Sequence, residues 1–276
     1  MNAMTSLDSV FDGLDGSFAL WLGRPDRPAA TLNPDTPHYP ASTMKIGVMA
    51  AAFRLADSGR LDLDAEIPVH NAFTSAVGGT FAMDPDYDSD PQVWERLGGK
   101  APLRWLIRRM IVRSSNLGTN LVLEQVGYDA AQRAYTAVGA TNSFTKRGIE
   151  DYAAAESGVD NRVTAAALAA QLSAIQTDRM ASPSACSEMI DILAAQELNT
   201  DFARGVPEGT KVALKNGWIE GVRHSAAIVY PTDAEPYVLT ACASSPLAMS
   251  QDGDDEVCAA FARLSELAWR RRHELP

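Results

Sequence analysis

Cysteine is scarce in this chain. Only Cys186, Cys242 and Cys258 occur in 276 residues. They are odd in number with no close pair, so they read as free thiols and not as a disulfide framework. Positive charge is also short: 24 Lys and Arg stand against 35 Asp and Glu, a net charge of −11. That balance argues against nucleic acid or an anionic membrane as the main partner. Long apolar runs are missing too. The stretch Ile46 to Phe53 falls well short of the roughly 20 residues a membrane-spanning helix needs. Neither an internal repeat nor a low-complexity segment is visible. The first residues lack a basic stretch followed by an apolar one, so no signal peptide is expected. The opening MNAM reads as a tag remnant ahead of a native start at Met4. That start implies a cytoplasmic protein; a trimmed leader would imply a secreted or periplasmic one.

What remains is an ordinary soluble balance, 46% hydrophobic and 21% charged, in a chain long enough for one large domain or two lobes around a cleft. Residues 16–23, GSFALWLG, read as a strand, and AATLN at 29–33 as a second. From 42 to about 200 the signals are helical. Leu103, Leu106, Ile107, Met110 and Ile111 keep helical spacing, with Pro102 suited to the first turn. Another helix is expected from Asn161, a good N-cap, through Leu168, Leu172 and Ile175. After 210 strands return in TKVALKNGW, RHSAAIVY and YVLTACAS, and a last helix covers about 253–272, ending in Arg270, Arg271 and Arg272. The expected fold is α/β of the α+β kind: an antiparallel sheet assembled from both termini, flanked by helices, with an all-helical lobe inserted. A single domain over 1–276 would divide into an α/β lobe (1–38 and 205–276) and a helical lobe (39–204), with the site in the cleft between them.

Ser42 and Lys45 lie three apart at the start of an apolar helix that ends near Gly59. A serine there sits at the positive end of the helix dipole, where free N–H groups can stabilise an oxyanion. Lys45 is one turn along on the same side. Apolar surroundings lower a lysine's pKa and let it act as a base. The same spacing recurs at Ser143 and Lys146, but between turn-like GATN and RGIEDY with no helix after it, so this second pair is read as a decoy. Two further pieces follow in order. Ser114-Ser115-Asn116 stands at a helix junction, and Lys215-Asn216-Gly217-Trp218 lies inside a strand pattern. A glycine there lets a ligand or backbone approach closely.

Ser-x-x-Lys, Ser-x-Asn and Lys-x-Gly, in this order and over nearly the whole chain, resemble the motif set of class A β-lactamases and penicillin-binding proteins. The resemblance implies a β-lactamase/DD-peptidase-like fold and a serine hydrolase working through an acyl-enzyme, without metal or cofactor. Ser42 would be the nucleophile, and Lys45 its base, directly or through water. Ser114 would pass a proton to the leaving nitrogen. Asn116 would bind the substrate amide and Lys45. Lys215 would supply positive charge near Ser114 and a substrate carboxylate. The N–H groups of Ser42 and Trp218 would form the oxyanion hole, and Arg223, one strand over, would help bind the carboxylate. Asn216 and Gly217 complete the substrate-binding set, and Trp218 is either a substrate platform or core.

Three departures stand out. Ser115 replaces the family's aspartate. Asn216 replaces a Thr or Ser and removes a hydroxyl donor. The family's Arg-x-Glu-x-x-x-Asn, whose Glu activates the deacylating water, has only a partial counterpart in KRGIEDYAAAESGVDNRVTA. Arg147 fits, Ile149 occupies the Glu position, Glu150 comes one residue late, and no Asn follows at the right spacing. Glu150 and Glu156 are the candidate deacylation bases, and deacylation is expected to be impaired. The partner is a small molecule: a β-lactam, a peptide or an ester. The alternatives are a D-Ala-D-Ala peptidase, an esterase, an amidase, or a non-hydrolytic acyl-binding member of the fold. Histidine is rare and G-x-S-x-G is missing, so a serine–histidine–aspartate enzyme has no support. His224 reads as a surface or packed histidine. Asp84, Asp86, Asp88, Asp90 and Glu95 fall at calcium-loop positions. Ser89 and Pro91 break that pattern, so an acidic surface loop near the cleft mouth is expected.

Overall fold

The computed structural model describes residues 7–249 and 253–276; Met4 lies outside them. Strands β1 (Ser17–Arg24) and β2 (Arg27–Leu32) open the chain. A short 3-10 turn over Ala41–Thr43 then runs into helix α1 (Met44–Asp57). The middle of the chain contains β3 (Glu66–Pro68), β4 (Phe73–Thr74), β5 (Thr80–Phe81), α2 (Pro91–Trp94), β6 (Lys100–Pro102), α3 (Leu103–Val112), α4 (Asn116–Val126), α5 (Tyr128–Thr136), α6 (Tyr152–Glu156), α7 (Ala165–Gln176) and α8 (Pro183–Ala194). Strands β7 (Lys211–Ile219), β8 (Val222–Tyr230) and β9 (Tyr237–Ser244) and helix α9 (Glu256–Arg270) close it.

The sheet has the order β2-β1-β9-β8-β7 with antiparallel pairs throughout. Both ends of the chain therefore build it, as the strand readings at both termini predict. Its three central strands, β1, β9 and β8, are buried on both faces, which explains near-continuous apolar runs such as Ala226–Val229. One face packs Ala19, Trp21, Ala213, Ile228 and Val238 into the large core with α1, α3, α4, α7 and α8. The other packs Leu20, Leu22, Leu214, Ala227 and Leu239 against Phe202 and the apolar stripe of α9. Burial of two such layers supplies most of the driving force, at about 25 cal/mol per Å² of apolar surface.

The middle departs from an all-helical reading in one respect. It carries two short ribbons, β3 with β6 and β4 with β5. Proline at 68 and 102 and the Gly78-Gly79 pair, both at positive φ, suit ribbon ends and a tight turn and resist helix. Pro102 ends β6 and precedes α3 instead of occupying its first turn. Asn161 caps no helix: Thr164 caps α7, accepting from Ala167 N–H.

Two histidines tie the sheet to the segment entering α1. His224 Nε2 lies 2.7 Å from the Tyr39 carbonyl, while its Nδ1 accepts from Ala243 N–H. Nε2 must therefore carry the proton, which makes the ring a neutral bridge between strand and turn. His38 packs edge-on to it, with ring centroids 5.5 Å apart, and pairs through its backbone with Val163. Its Nδ1 meets Ser244 Oγ at 2.8 Å. Burial lowers the His38 pKa from 6.5 to about 4 and that of His224 to about 3. The unfolded chain binds these protons first, so their contribution to stability is whole above about pH 6.5 and is lost as pH falls toward 4 and then 3. Unfolding midpoints measured from pH 7 to pH 4 should fall, and His38→Asn should flatten that slope. An unchanged slope would refute the assignment.

Candidate active site

The nucleophile candidate Ser42 sits in the middle of the 3-10 turn, half-buried, directly before α1. Ala41 beside it is held at φ +43, a left-handed conformation that costs about 1–2 kcal/mol outside glycine. Strained backbone of this kind clusters at functional sites. Gly217 of β7 explains how closely sheet and turn approach. A Cβ on Gly217 would lie 2.8 Å from Ser42 N and 3.0 Å from Thr43 N. The third motif's glycine is thus a steric requirement of the site.

Lys45 is fully buried one turn along α1. Its Nζ donates to the Ser114 carbonyl at 2.7 Å, to Ser114 Oγ at 3.2 Å and to Asn116 Oδ1 at 2.8 Å. Burial is the main cause that brings its pKa down to about 7, with Asp88 and Glu150 holding it from falling further. At neutral pH a large fraction of this amine is uncharged and able to accept a proton. Ser114 is held at φ +57 at the α3–α4 junction, which turns its carbonyl and hydroxyl together toward Lys45. First and second motifs meet here as their spacing implied.

Ser115 does what an aspartate cap would do: its Oγ accepts from Gly118 N–H and caps α4. Asp88, which the sequence offered only as an acidic-loop residue, proves to be the support. Its Oδ2 accepts from Leu117 N–H at 2.8 Å, from Trp94 Nε1 at 2.9 Å and from Ser115 Oγ at 3.3 Å. Asn116 Nδ2 in turn donates to the Tyr87 carbonyl. Asp90 is buried and paired with Arg109, and Asp84 Oδ1 accepts from Asp86 N–H. The acidic loop thus turns three of its carboxylates on the protein's own donors and braces the second motif.

Lys215 is also fully buried, on the sheet face toward α1, within electrostatic reach of Lys45. Its Nζ donates to the carbonyl of Asn216 at 2.7 Å and to Asn216 Oδ1 at 3.3 Å. Burial and the neighbouring ammonium of Lys45 push its pKa well below the usual range. Asn216 Nδ2 donates to Leu198 O at 2.6 Å. Arg223 lies elsewhere than expected. The register pairs it with Trp218 and Ala243, so both Arg223 and Trp218 occupy the face opposite Lys215 and Gly217. There Arg223 is buried against Asp255. A one-residue difference in register reverses a strand residue's face, and the sequence alone did not fix the β7–β8 turn.

The segment 144–163 closes over this region as a loop pinned at its base. Phe144 pairs with Arg162. Asn161 Oδ1 accepts from the N–H of Lys146 and Arg147, and its Nδ2 donates to the Arg147 carbonyl. Asn120 holds both N–H and C=O of Ile149 at 2.9 Å. These two asparagines are the partners that the expected Arg-x-Glu-x-x-x-Asn spacing did not reveal. Glu150, at φ +63, is half-buried. Its Oε2 accepts from Asp84 N–H at 2.8 Å, and its Oε1 is buried without a hydrogen-bond partner. Desolvation raises its pKa. Glu156 is exposed at the end of α6. Ser143 is buried, and Lys146 packs its ammonium on Phe144, so the second Ser-x-x-Lys assembles no site. Among the described residues no cluster of three or more His, Cys, Asp or Glu could hold a metal ion.

Residues 3–271 match the model of the beta-lactamase enzyme family. The chain belongs to that family and is a serine hydrolase of the β-lactamase type. No curated protein matches it by sequence. Among solved structures it is similar to PBP-A (TM-score 0.82, 19% identity, covering 100% of this chain and 97% of that one). It is also similar to a β-lactamase from Sphaerobacter thermophilus (TM-score 0.80, 21% identity, 99% and 98% covered). A third similar structure is a PBP-A mutant described as an acyl-enzyme complex with penicillin G (TM-score 0.81, 20% identity, 99% and 97% covered). At these identities the likeness establishes the fold.

Gly217→Ala tests the packing of turn on strand. The added methyl must displace backbone, which should cost about 1–3 kcal/mol in stability and slow acylation roughly 10²-fold through misplacement of Ser42. Thermal unfolding and acylation rates measured on the same preparation check both.

Proposed function

We propose that the protein cleaves amide or ester bonds, in β-lactams or related small molecules, through an acyl-enzyme at Ser42 that deacylates slowly. The observation that carries this reading is the buried Lys45 amine, near pKa 7, bonded to Ser114 Oγ and Asn116 Oδ1. Lys45, uncharged, takes the proton of Ser42 Oγ as the oxygen attacks the carbonyl carbon. The N–H groups of Ser42 and Trp218 receive the developing oxyanion, an interaction whose loss typically costs roughly 10²–10³ in rate. Ser114 passes a proton to the departing nitrogen or oxygen and regains one from Lys45. Asn116 and Gly217 line the acyl side.

Slow deacylation follows from the loop at 144–163. Ile149 stands where the family's water-activating carboxylate is expected. Between the two candidate bases the surroundings favour Glu150, with its half-buried, raised-pKa carboxyl, over the exposed Glu156. What turnover there is falls to Glu150. The single oxygen available to it, Oε1, faces no partner, while Oε2 is committed to Asp84 N–H.

Intact-mass measurement over time with a penicillin, a cephalosporin and small activated esters tests the reading. A lasting adduct that disappears in Ser42→Ala supports it. Adducts retained in Ser42→Ala, or none with any of these reagents, would overturn it. The acylation rate should climb with pH through about 7 and level off, because the uncharged form of Lys45 is the active one. Glu150→Gln should lengthen the adduct lifetime about tenfold or more, and Glu156→Gln should leave it unchanged.

A further inference from the structure

Helix α4 has a divided N-cap. Ser115 is the N-cap residue, and its Oγ accepts from Gly118 N–H at 3.0 Å. The adjacent donor, Leu117 N–H, is taken instead by Asp88 Oδ2 at 2.8 Å, from 29 positions earlier in the chain. An aspartate at the cap position could serve these donors with its own side chain, and its charge would suit the helix N-terminus. Here the hydroxyl is on the cap and the charge is on the loop over 84–90. The two are joined by the hydrogen bond from Ser115 Oγ to Asp88 Oδ2 at 3.3 Å. The carboxylate is fixed from its other side as well: Trp94 Nε1 donates to Oδ2, and Asp90 N–H to Oδ1 at 3.1 Å. Asn116, the first residue of α4, stands between this cap and the amine. Its Oδ1 accepts from Lys45 Nζ at 2.8 Å, and its Nδ2 donates to the carbonyl of Tyr87, next in sequence to Asp88. One loop therefore grips both the first turn of α4 and the carboxamide that meets Lys45.

We propose that Asp88 is a positioning residue for acylation: its carboxylate completes the α4 cap from a separate loop, aims Asn116 and Ser114 at Lys45, and does together with Ser115 the work of a single aspartate at the cap. This rests on the acyl-enzyme reading of Ser42. Cap and charge are then one function divided between two positions, exchangeable as a pair and not singly. The electrostatics agree. Asp88 and Glu150 are the carboxylates that raise the proton affinity of Lys45 against the effect of burial, while Lys215 and Lys45 oppose each other's charge. Asp90, in the same loop, is neutralised by Arg109, and Glu150 Oε2 is committed to Asp84 N–H. Of these carboxylates, Asp88 is the one bonded to the second motif.

Three variants test this: Asp88→Asn, Ser115→Asp, and the exchange that combines Asp88→Ser with Ser115→Asp. Lys45 is titrated through its ε-carbon resonance in protein carrying labelled lysine, a spectrum of five residues in which Lys45→Met identifies the signal. Acylation of Ser42 by a penicillin is followed across pH by intact mass. Asp88→Asn keeps the shape and removes the charge. The midpoints of the Lys45 titration and of the acylation profile should both fall by about half a pH unit or more, and the high-pH rate should drop about threefold or more. Ser115→Asp alone sets two carboxylates within hydrogen-bond reach and should slow acylation about tenfold. The exchange should return both midpoints to within about 0.3 pH units of wild type and the rate to within about threefold. A merely structural Asp88 would lower the melting temperature and leave the midpoints in place. Midpoints unmoved in Asp88→Asn, or an exchange variant no faster than the slower single variant, overturn the inference and leave the acyl-enzyme reading intact. If Ser115→Asp does not fold, Asp88→Asn still decides. If the wild-type protein is never acylated at Ser42, the acyl-enzyme reading falls and Asp88 has no acylation to position, which overturns both.

Discussion

The structure turns on one buried amine. Lys45 sits in the interior of the large core, where an ammonium has lost its water. Three oxygens from the α3–α4 junction replace that water. The junction must therefore present a carbonyl, a hydroxyl and a carboxamide to one point, and it does so by holding Ser114 in a left-handed conformation. Asp88 then holds the junction by gathering Leu117 N–H, Ser115 Oγ and Trp94 Nε1. Each layer is required by the one inside it, so removal of an outer residue such as Asp88 is felt at the amine through geometry as well as through charge.

The same logic separates the two lysines. Both are buried and both have depressed proton affinity, but they differ in what completes their shells. Lys45 is bound by groups that belong to the proposed chemistry. Lys215 is bound by its own neighbour on the strand. Two ammoniums this close oppose each other's charge, so at most one carries its proton comfortably at neutral pH. A carboxylate such as Asp201, reaching Lys215 only through space from behind the sheet, moderates that opposition without cancelling it.

Much of this was legible in the sequence because period and punctuation are local. Strands β1, β2, β7, β8 and β9 lie where short apolar runs bounded by turn residues placed them, and Ser42, Lys45, Ser114, Asn116, Lys215 and Gly217 were found by motif order. Three things were not local. The face of Arg223 depends on the β7–β8 register, which a turn only a residue or two in length decides. The partners of Asn161 and Asn120 lie across the 144–163 loop, and an asparagine before an apolar run looks the same whether it caps a helix or staples a loop. Asp88 resembled a calcium ligand because the spacing of carboxylates records nothing about which backbone N–H groups they will meet.

The sheet's closure by both ends of the chain has a bearing on the order of synthesis. Ser42 and Lys45 are translated early, well before α4 and α5, the helices that α1 packs against. The strand that must lie against Ser42, β7, is translated far later, and it reaches β1 only through β8 and β9. Until the last of these emerges, the nucleophile's turn has no edge to rest on, and Gly217 has nothing to approach. The growing chain thus carries its reactive serine in an unassembled state through most of translation, and hydrolytic competence arrives as one of the final events of folding.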